Sequence, residues 1–243
     1  MLHMKCPLLI LVALCLFTTS VQAQDTPPTA SKKHLTKLPG LVIDHKNGYL
    51  DISGKVVLRD GDWLELLLCT PGTREHESIL STAARPSHIH LGLIMLGLKP
   101  GKPMTAQKVG EELKITQASG PLISVDLIYI EDDKQQIVNA NKWIYNKNTG
   151  NDLPDNLWLF AGSSFIKAHD QNIYRADANG SVITLVHFGD DMLARQTQVN
   201  SRNDNGQWQA RTKNIPPLGT NVTIRLTPIK TDQKTLKTEN QGS

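Results

Sequence analysis

The residues best equipped for chemistry lie between Cys69 and Gly101, in the run CTPGTREHESILSTAARPSHIHLGLIMLGLKPG. Three of the eight histidines, His76, His88 and His90, fall there with the carboxylates Glu75 and Glu77 and the thiol of Cys69. Imidazoles and carboxylates are ligands that zinc and similar ions take, and three of them with a water make a hydrolytic metal site. His76, His88 and His90 are therefore the candidate metal ligands, and Glu75, His76 and Glu77 the candidate acid–base groups. The spacing is not that of HExxH, which sets two imidazoles on one helix face. His88 and His90 stand about 200° apart around a helix. On a strand, Glu75 and Glu77 share one face and His76 takes the other. The plainer reading has these groups bonded to each other and to exposed backbone at a turn.

Two nucleophiles offer themselves. Cys69 ends an apolar strand, and an imidazole such as His76 folded beside it would lower its pKa. Its competing role is that of a small apolar side chain in a β core. Gly162-Ser163-Ser164, with His187 and Asp190 or Asp191 downstream, supplies the residue types of a Ser–His–Asp relay. The fuller G-x-S-x-G elbow is absent, and serine and glycine suit a strand-end turn on steric grounds. Gly97–Gly101 follows a helix and lacks the Gly-Lys-Ser/Thr end of a phosphate loop. Trp143, Tyr145, Trp158 and Trp208 are dispersed, and an aromatic content of 5% argues against a dedicated sugar platform. None of these patterns names a cofactor.

The elements that must position these groups are mostly strands. Leu41–Asp44 and Tyr49–Ile52 flank a turn carrying Asn47-Gly48, a strong hairpin signal. Lys55–Arg59 follows, and Trp63–Cys69, apolar on both faces, reads as a central strand. Leu122–Glu131, Trp158–Ala161, Ile173–Ala176, Ser181–Phe188 and Val222–Thr227 complete the set, each bounded by turn formers. One helix is expected at Ser87–Leu96, with Ser87 as its cap, Ile89, Leu93 and Leu96 on its buried face, and Gly97 and Pro100 ending it. Arg74–Ala84 fits a helix or a strand. The expected class is α+β, a β-rich single domain with one short helix packed on the sheet.

The amino terminus reads as an export signal over residues 1–23. Lys5 precedes an apolar run, Pro7–Phe17, that is too short to span a bilayer, and Val21 and Ala23 are small where a signal peptidase reads. Leu14 before Cys15 is bulky where a lipoprotein site takes a small residue. Cleavage removes Cys6 and Cys15, which leaves Cys69 alone and permits no internal disulfide. Residues 24–37 read as a polar linker, 38–230 as the domain and 231–243 as a disordered polar tail. No later segment is apolar enough to cross a membrane. A net charge of +3 with mixed signs argues against a nucleic-acid partner.

Cys69–Ser78, Pro86–His90 and Leu96–Gly101, with Leu157–Ser163 and Ile215–Thr220, resemble the YdjY-domain family of exported bacterial proteins over most of the chain. The resemblance implies one domain and export, and assigns no activity. A ferredoxin-like label carried by some relatives does not transfer, because an iron–sulfur cluster usually takes four cysteine ligands.

The sequence thus leads to an exported binding or interaction module of the bacterial envelope, periplasmic or secreted, whose partner it does not name. The alternative is a metal-dependent hydrolase or other enzyme built on the Glu/His cluster at 75–90. Signal cleavage after Ala23 predicts a mature chain that starts at Gln24 and bears no lipid. Intact-mass measurement of protein from its native host checks this, and a diacylglyceryl Cys15 at the amino terminus would refute it.

Overall fold

The computed structural model describes residues 34–61, 63–154, 158–168, 170–195 and 206–229. The expected signal and tail, and most of the linker, lie outside these residues. In chain order the elements are β1 (Leu35–Leu38), β2 (Leu41–Asp44), β3 (Tyr49–Val56), β4 (Leu66–Cys69), β5 (Ser78–Ser81) and α1 (Pro86–Met95). Then come β6 (Thr105–Val109), β7 (Glu112–Thr116), β8 (Leu122–Glu131), β9 (Lys134–Asn139), β10 (Ile144–Asn146) and β11 (Trp158–Phe160). The last are β12 (Phe165–Ala168), β13 (Gln171–Tyr174), α2 (Arg175–Asn179), β14 (Ser181–Thr184), β15 (Leu193–Arg195), β16 (Trp208–Ala210) and β17 (Asn221–Pro228).

The chain is a closed barrel of eight strands, in the order β3, β17, β8, β11, β15, β14, β4, β5. The ring closes where Lys55 and Val56 of β3 pair with Ser81 and Leu80 of β5. This overturns the α+β expectation of a sheet with one helix laid on it: the sheet closes on itself and encloses its own core. Closure depends on pairing two strand ends far apart in sequence, which no local pattern records. β3 carries two partners along one edge, β2 at Tyr49–Ile52 and β5 at Lys55–Val56. β8 does the same with β11 and β9.

The wall has two kinds of strand. β3, β8 and β17 alternate: Leu50, Ile52, Ile123, Val125, Leu127, Ile224 and Leu226 are buried, and the residues between them look outward. That is the period-2 pattern of a sheet wetted on one face. β4, β5, β11, β14 and β15 are buried along their whole length, because loops and short elements cover their outer face. An eight-stranded barrel is narrow enough for side chains to fill.

The helix forms at Pro86–Met95 and ends as expected. Gly97, at φ 89°, takes the left-handed position, with Leu98 N–H donating to Leu93 O and Gly97 N–H to Ile94 O. Its start differs from expectation. Ser87 does not cap it; Arg85 occupies the cap position, and its side chain does not bond the helix's free N–H groups. Asp177 of α2 does the work instead, accepting from Ser87 N–H at 2.8 Å, Ser87 Oγ at 2.7 Å and Arg85 Nη2 at 2.9 Å. A carboxylate at a helix amino terminus also complements the helix dipole. Gly92 permits close approach: a Cβ there would collide with Leu50 and touch Ile43. Ile89 and Leu93 are fully buried, while Leu91 is 46% exposed on the opposite side.

Leu93→Ala should therefore lower unfolding free energy by about 2–5 kcal/mol. Leu91→Ala on the same helix should stay within about 0.5 kcal/mol of the parent. Chemical denaturation of both variants measures the difference, and equal midpoints would mean the helix faces are misassigned.

Candidate functional site

The chemistry-bearing run of the sequence is divided among three environments. Cys69 is completely buried in the wall, and burial pushes its thiol above the usual range, opposite to what an activated nucleophile needs. Glu75, His76 and Glu77 form a 3-10 turn rather than the helix or strand the sequence allowed. There Glu75 accepts from Gly72 N–H at 3.0 Å, and Glu77 takes Arg74 at 3.0 Å and His76 at 3.9 Å. The His76 side chain is 78% exposed. β5 then carries the chain about 13 Å into the wall before it turns to α1. The expected approach of Glu77 to His88 or His90 is not among the described contacts. His88 has a buried Nδ1 without a hydrogen-bond partner, and His90 bonds elsewhere. Among the described residues, no three His, Cys, Asp or Glu side chains gather closely enough to hold a metal ion.

His90 belongs to a different constellation. Its Nδ1 lies 2.8 Å from Tyr174 Oη, and that hydroxyl donates to the Gly162 carbonyl at 3.1 Å. A carbonyl oxygen only accepts, so the single phenolic proton is committed to Gly162 and Nδ1 must be the donor to Tyr174. Neutral His90 thus carries its proton on Nδ1 and presents Nε2 as an acceptor. Phe160 meets the ring edge-on at 4.9 Å. Burial holds the His90 pKa below its ordinary value, and the Gly162 carbonyl opposes this. Burial, then the charge of Asp177, push the Tyr174 hydroxyl far above the phenol range against a weaker pull from Ser163. The group is neutral at physiological pH and ties α1, β13 and the β11–β12 turn together. Neither Tyr174 nor Asp177 carries a local sequence signal, since their partners lie 84 and 90 residues away.

The serine relay is half assembled. Ser163 stands at φ 55°, a strained value for a residue with a Cβ, beside Gly162 at φ 86°. Its N–H donates to Asp191 O at 2.8 Å. His187 Nδ1 lies 3.1 Å from Asp191 Oδ2, and Asp191 Oδ1 accepts from Thr184 Oγ1 and Phe188 N–H. Ser163 Oγ, however, is buried without a hydrogen bond of regular geometry, so the nucleophile–imidazole bond of a relay is missing. Asp190 accepts from Asn179 and keeps its Oδ1 buried and unbonded.

His90 sets a pH dependence. Folding lowers its pKa below the unfolded value of about 6.5, so the unfolded chain binds the proton more readily. Its contribution is complete above that value and is lost as pH falls through the folded pKa. His90→Gln keeps a donor but cannot titrate. Its melting temperature should drop less than the parent's between about pH 7.5 and pH 5. Parallel melting curves for the two proteins would remove His90 from this role.

Residues 41–227 match the model of the YdjY domain. No curated protein and no solved structure matches the chain. The matched stretch runs from β2 to β17, takes in the whole barrel, and contains the motifs at Cys69–Ser78, Pro86–His90 and Leu96–Gly101. The chain belongs to the YdjY-domain family.

Proposed function

We propose that the protein is an exported interaction module that works at anionic membrane surfaces of the bacterial envelope through the outer face of α1. The observation that carries this reading is an apolar stripe. Leu91, Ile94 and Met95 are 46%, 43% and 41% exposed, and their spacing puts them on one side of the helix. From Leu91 to Leu98 no side chain offers a hydrogen bond. Contiguous exposed apolar surface of this kind marks a contact site.

Charge favours lipid as the partner. No acidic residue occurs from Ser78 to Gly110, and Lys99 and Lys102 follow the helix, exposed and without an ion-pair partner among the described residues. A convex apolar helix face bordered by lysines suits the headgroup boundary of an anionic leaflet, into which such faces sink about 5–10 Å. This is surface attachment: no helix among the described residues is long and apolar enough to cross a membrane. Of the chemistry-bearing residues, in contrast, Glu75 and Glu77 hold a turn and His90 ties α1 to Tyr174.

Co-sedimentation of the mature chain with vesicles tests the reading. Binding should appear with phosphatidylglycerol vesicles, weaken in salt, and be small with neutral phosphatidylcholine. Ile94→Glu should abolish it without changing the melting temperature. Binding that ignores lipid charge, or survives Ile94→Glu, would refute the proposal. A dimer in sedimentation that Ile94→Glu dissolves would assign the face to a second copy instead.

A further inference from the structure

Arg195 carries the most deeply buried guanidinium among the described residues, and none of those residues gives it the counter-charge that such a group needs. It closes β15 and pairs across the ladder with Trp158 of β11, which in turn pairs with Ile123 of β8. Ladder partners present their side chains to the same face. Ile123 belongs with Val125 and Leu127 to the buried set, so Arg195 sits on the interior face of the barrel. Only 4% of the residue is exposed.

Arg59 and Arg175 bond only to carbonyl oxygens but are less buried, and four other arginines show what is missing. Arg74, Arg85, Arg211 and Arg225 each meet a carboxylate, Arg225 with two bonds to Asp51 at 2.7 and 2.8 Å. Arg195, among the described residues, makes one hydrogen bond, from Nη1 to the Pro154 carbonyl at 3.3 Å. Among the described residues two indoles lie near it as well, Trp158 at 5.8 Å and Trp208 at 6.0 Å from the guanidinium carbon. Cation–π contacts at that range stabilise a charge weakly. Burial draws its pKa down to about 10, with no carboxylate among the described residues to offset it, and it stays protonated at neutral pH. A buried charge without a counter-charge is costly, and an apolar replacement is commonly neutral or stabilising.

We infer that Arg195, with Trp158 and Trp208, is a binding site for a small carboxylate that carries an apolar or aromatic body. The planar fork of the guanidinium matches a carboxylate with two parallel bonds. Two indoles beside it give the body of such a ligand an apolar, stackable wall. Small-molecule sites have this composition, mostly apolar with one or two fixed polar groups, and the mouths of β-barrels are common places for them. α1 reaches Leu50 through Gly92 and Phe160 through His90, so it covers the interior at the Phe160 end of β11. Trp158 and Arg195 lie at the other end of that strand. The site is separate from the outer face of α1, and either can fail without the other.

The test uses benzoate, acetate and inorganic phosphate at constant ionic strength, read by melting temperature and by tryptophan emission. Benzoate should raise the melting temperature in a saturable manner and shift the emission, because a ligand of the native state stabilises it by mass action. Acetate should act at least tenfold more weakly, and phosphate no more than salt. Arg195→Met should melt no lower than the parent and lose the benzoate response. Arg195→Lys, which keeps the charge without the fork, should weaken it about tenfold. If Arg195→Met fails to fold, Arg195→Lys and the emission shift still decide. A parent protein indifferent to benzoate would overturn the inference, as would an equal response in Arg195→Met. Phosphate acting as strongly as benzoate would overturn the carboxylate assignment.

Discussion

The fold depends on a contact of two residues a side. Where Lys55 and Val56 pair with Ser81 and Leu80, a sheet that would otherwise end in two raw edges becomes a ring. β3 can serve both β2 and β5 because its chain is slim where the partners change. At Gly54 a Cβ would press on the Ser81 carbonyl at 3.0 Å and collide with Ile224. Thr82 Oγ1 reinforces the corner by donating to Ser53 O at 2.6 Å. These bonds are modest singly, at about 0.5–1.5 kcal/mol each. Their larger effect is to exclude water from Val56, Leu80, Leu68, Ile183 and Leu193, a continuous interior row of fully or almost fully buried side chains. Each such burial contributes about 1.5–3 kcal/mol.

Closure explains why so many chemically capable side chains are structural here. Five wall strands are buried on both faces, so the segments that cover them run over apolar surface and need side chains to satisfy their backbone. Asp177 receives three donors from the start of α1. Tyr174 joins His90 to the Gly162 carbonyl, and Asp191 gathers His187, Thr184 and Phe188 while fully buried itself. Each of these groups would look catalytic in a list of residue types. Their geometry makes them tie points between segments far apart in sequence.

What the sequence discloses follows from the range of the forces involved. β2 and β8 form at the residues expected, Leu41–Asp44 and Leu122–Glu131, and the hairpin turn at Asn47-Gly48 holds with Gly48 at φ 73°. Alternation, glycine and proline are local signals, and they also find α1 to within a residue at each end. The misses are nonlocal. Leu66–Cys69 and Ser78–Ser81 are buried throughout and do not alternate, so nothing in them tells a barrel wall from the middle of an open sheet. The parallel pairing of β4 with β5, and of β14 with β15, has no sequence mark either. Ser87 looked like a cap because serine prefers that place, but Asp177 offers a charged acceptor and wins. Lys55–Arg59 read as a new strand, whereas β3 runs straight through Gly54 and stops at Val56.

The Glu/His run stands out by composition, yet once folded most of it is satisfied: Glu77 is paired with Arg74, Glu75 accepts a backbone N–H, His76 is solvated and His90 is bonded, with the buried His88 Nδ1 the exception. Beyond the strained Ser163 and the orphaned Asp190 Oδ1, two other places break rules. One is an apolar stripe left facing out on α1, and the other is a cation left facing in at Arg195. Neither aids stability in isolation, because exposed leucine and isoleucine gain nothing from water and a buried guanidinium loses its hydration. Sequences are locally consistent with their folds except where function imposes a cost. Under the two proposed readings, physical inconsistency marks the working surfaces of this barrel better than the reactivity of its side chains does. It points to opposite sides of the wall: apolar contact outside at α1, and charge recognition inside at Arg195.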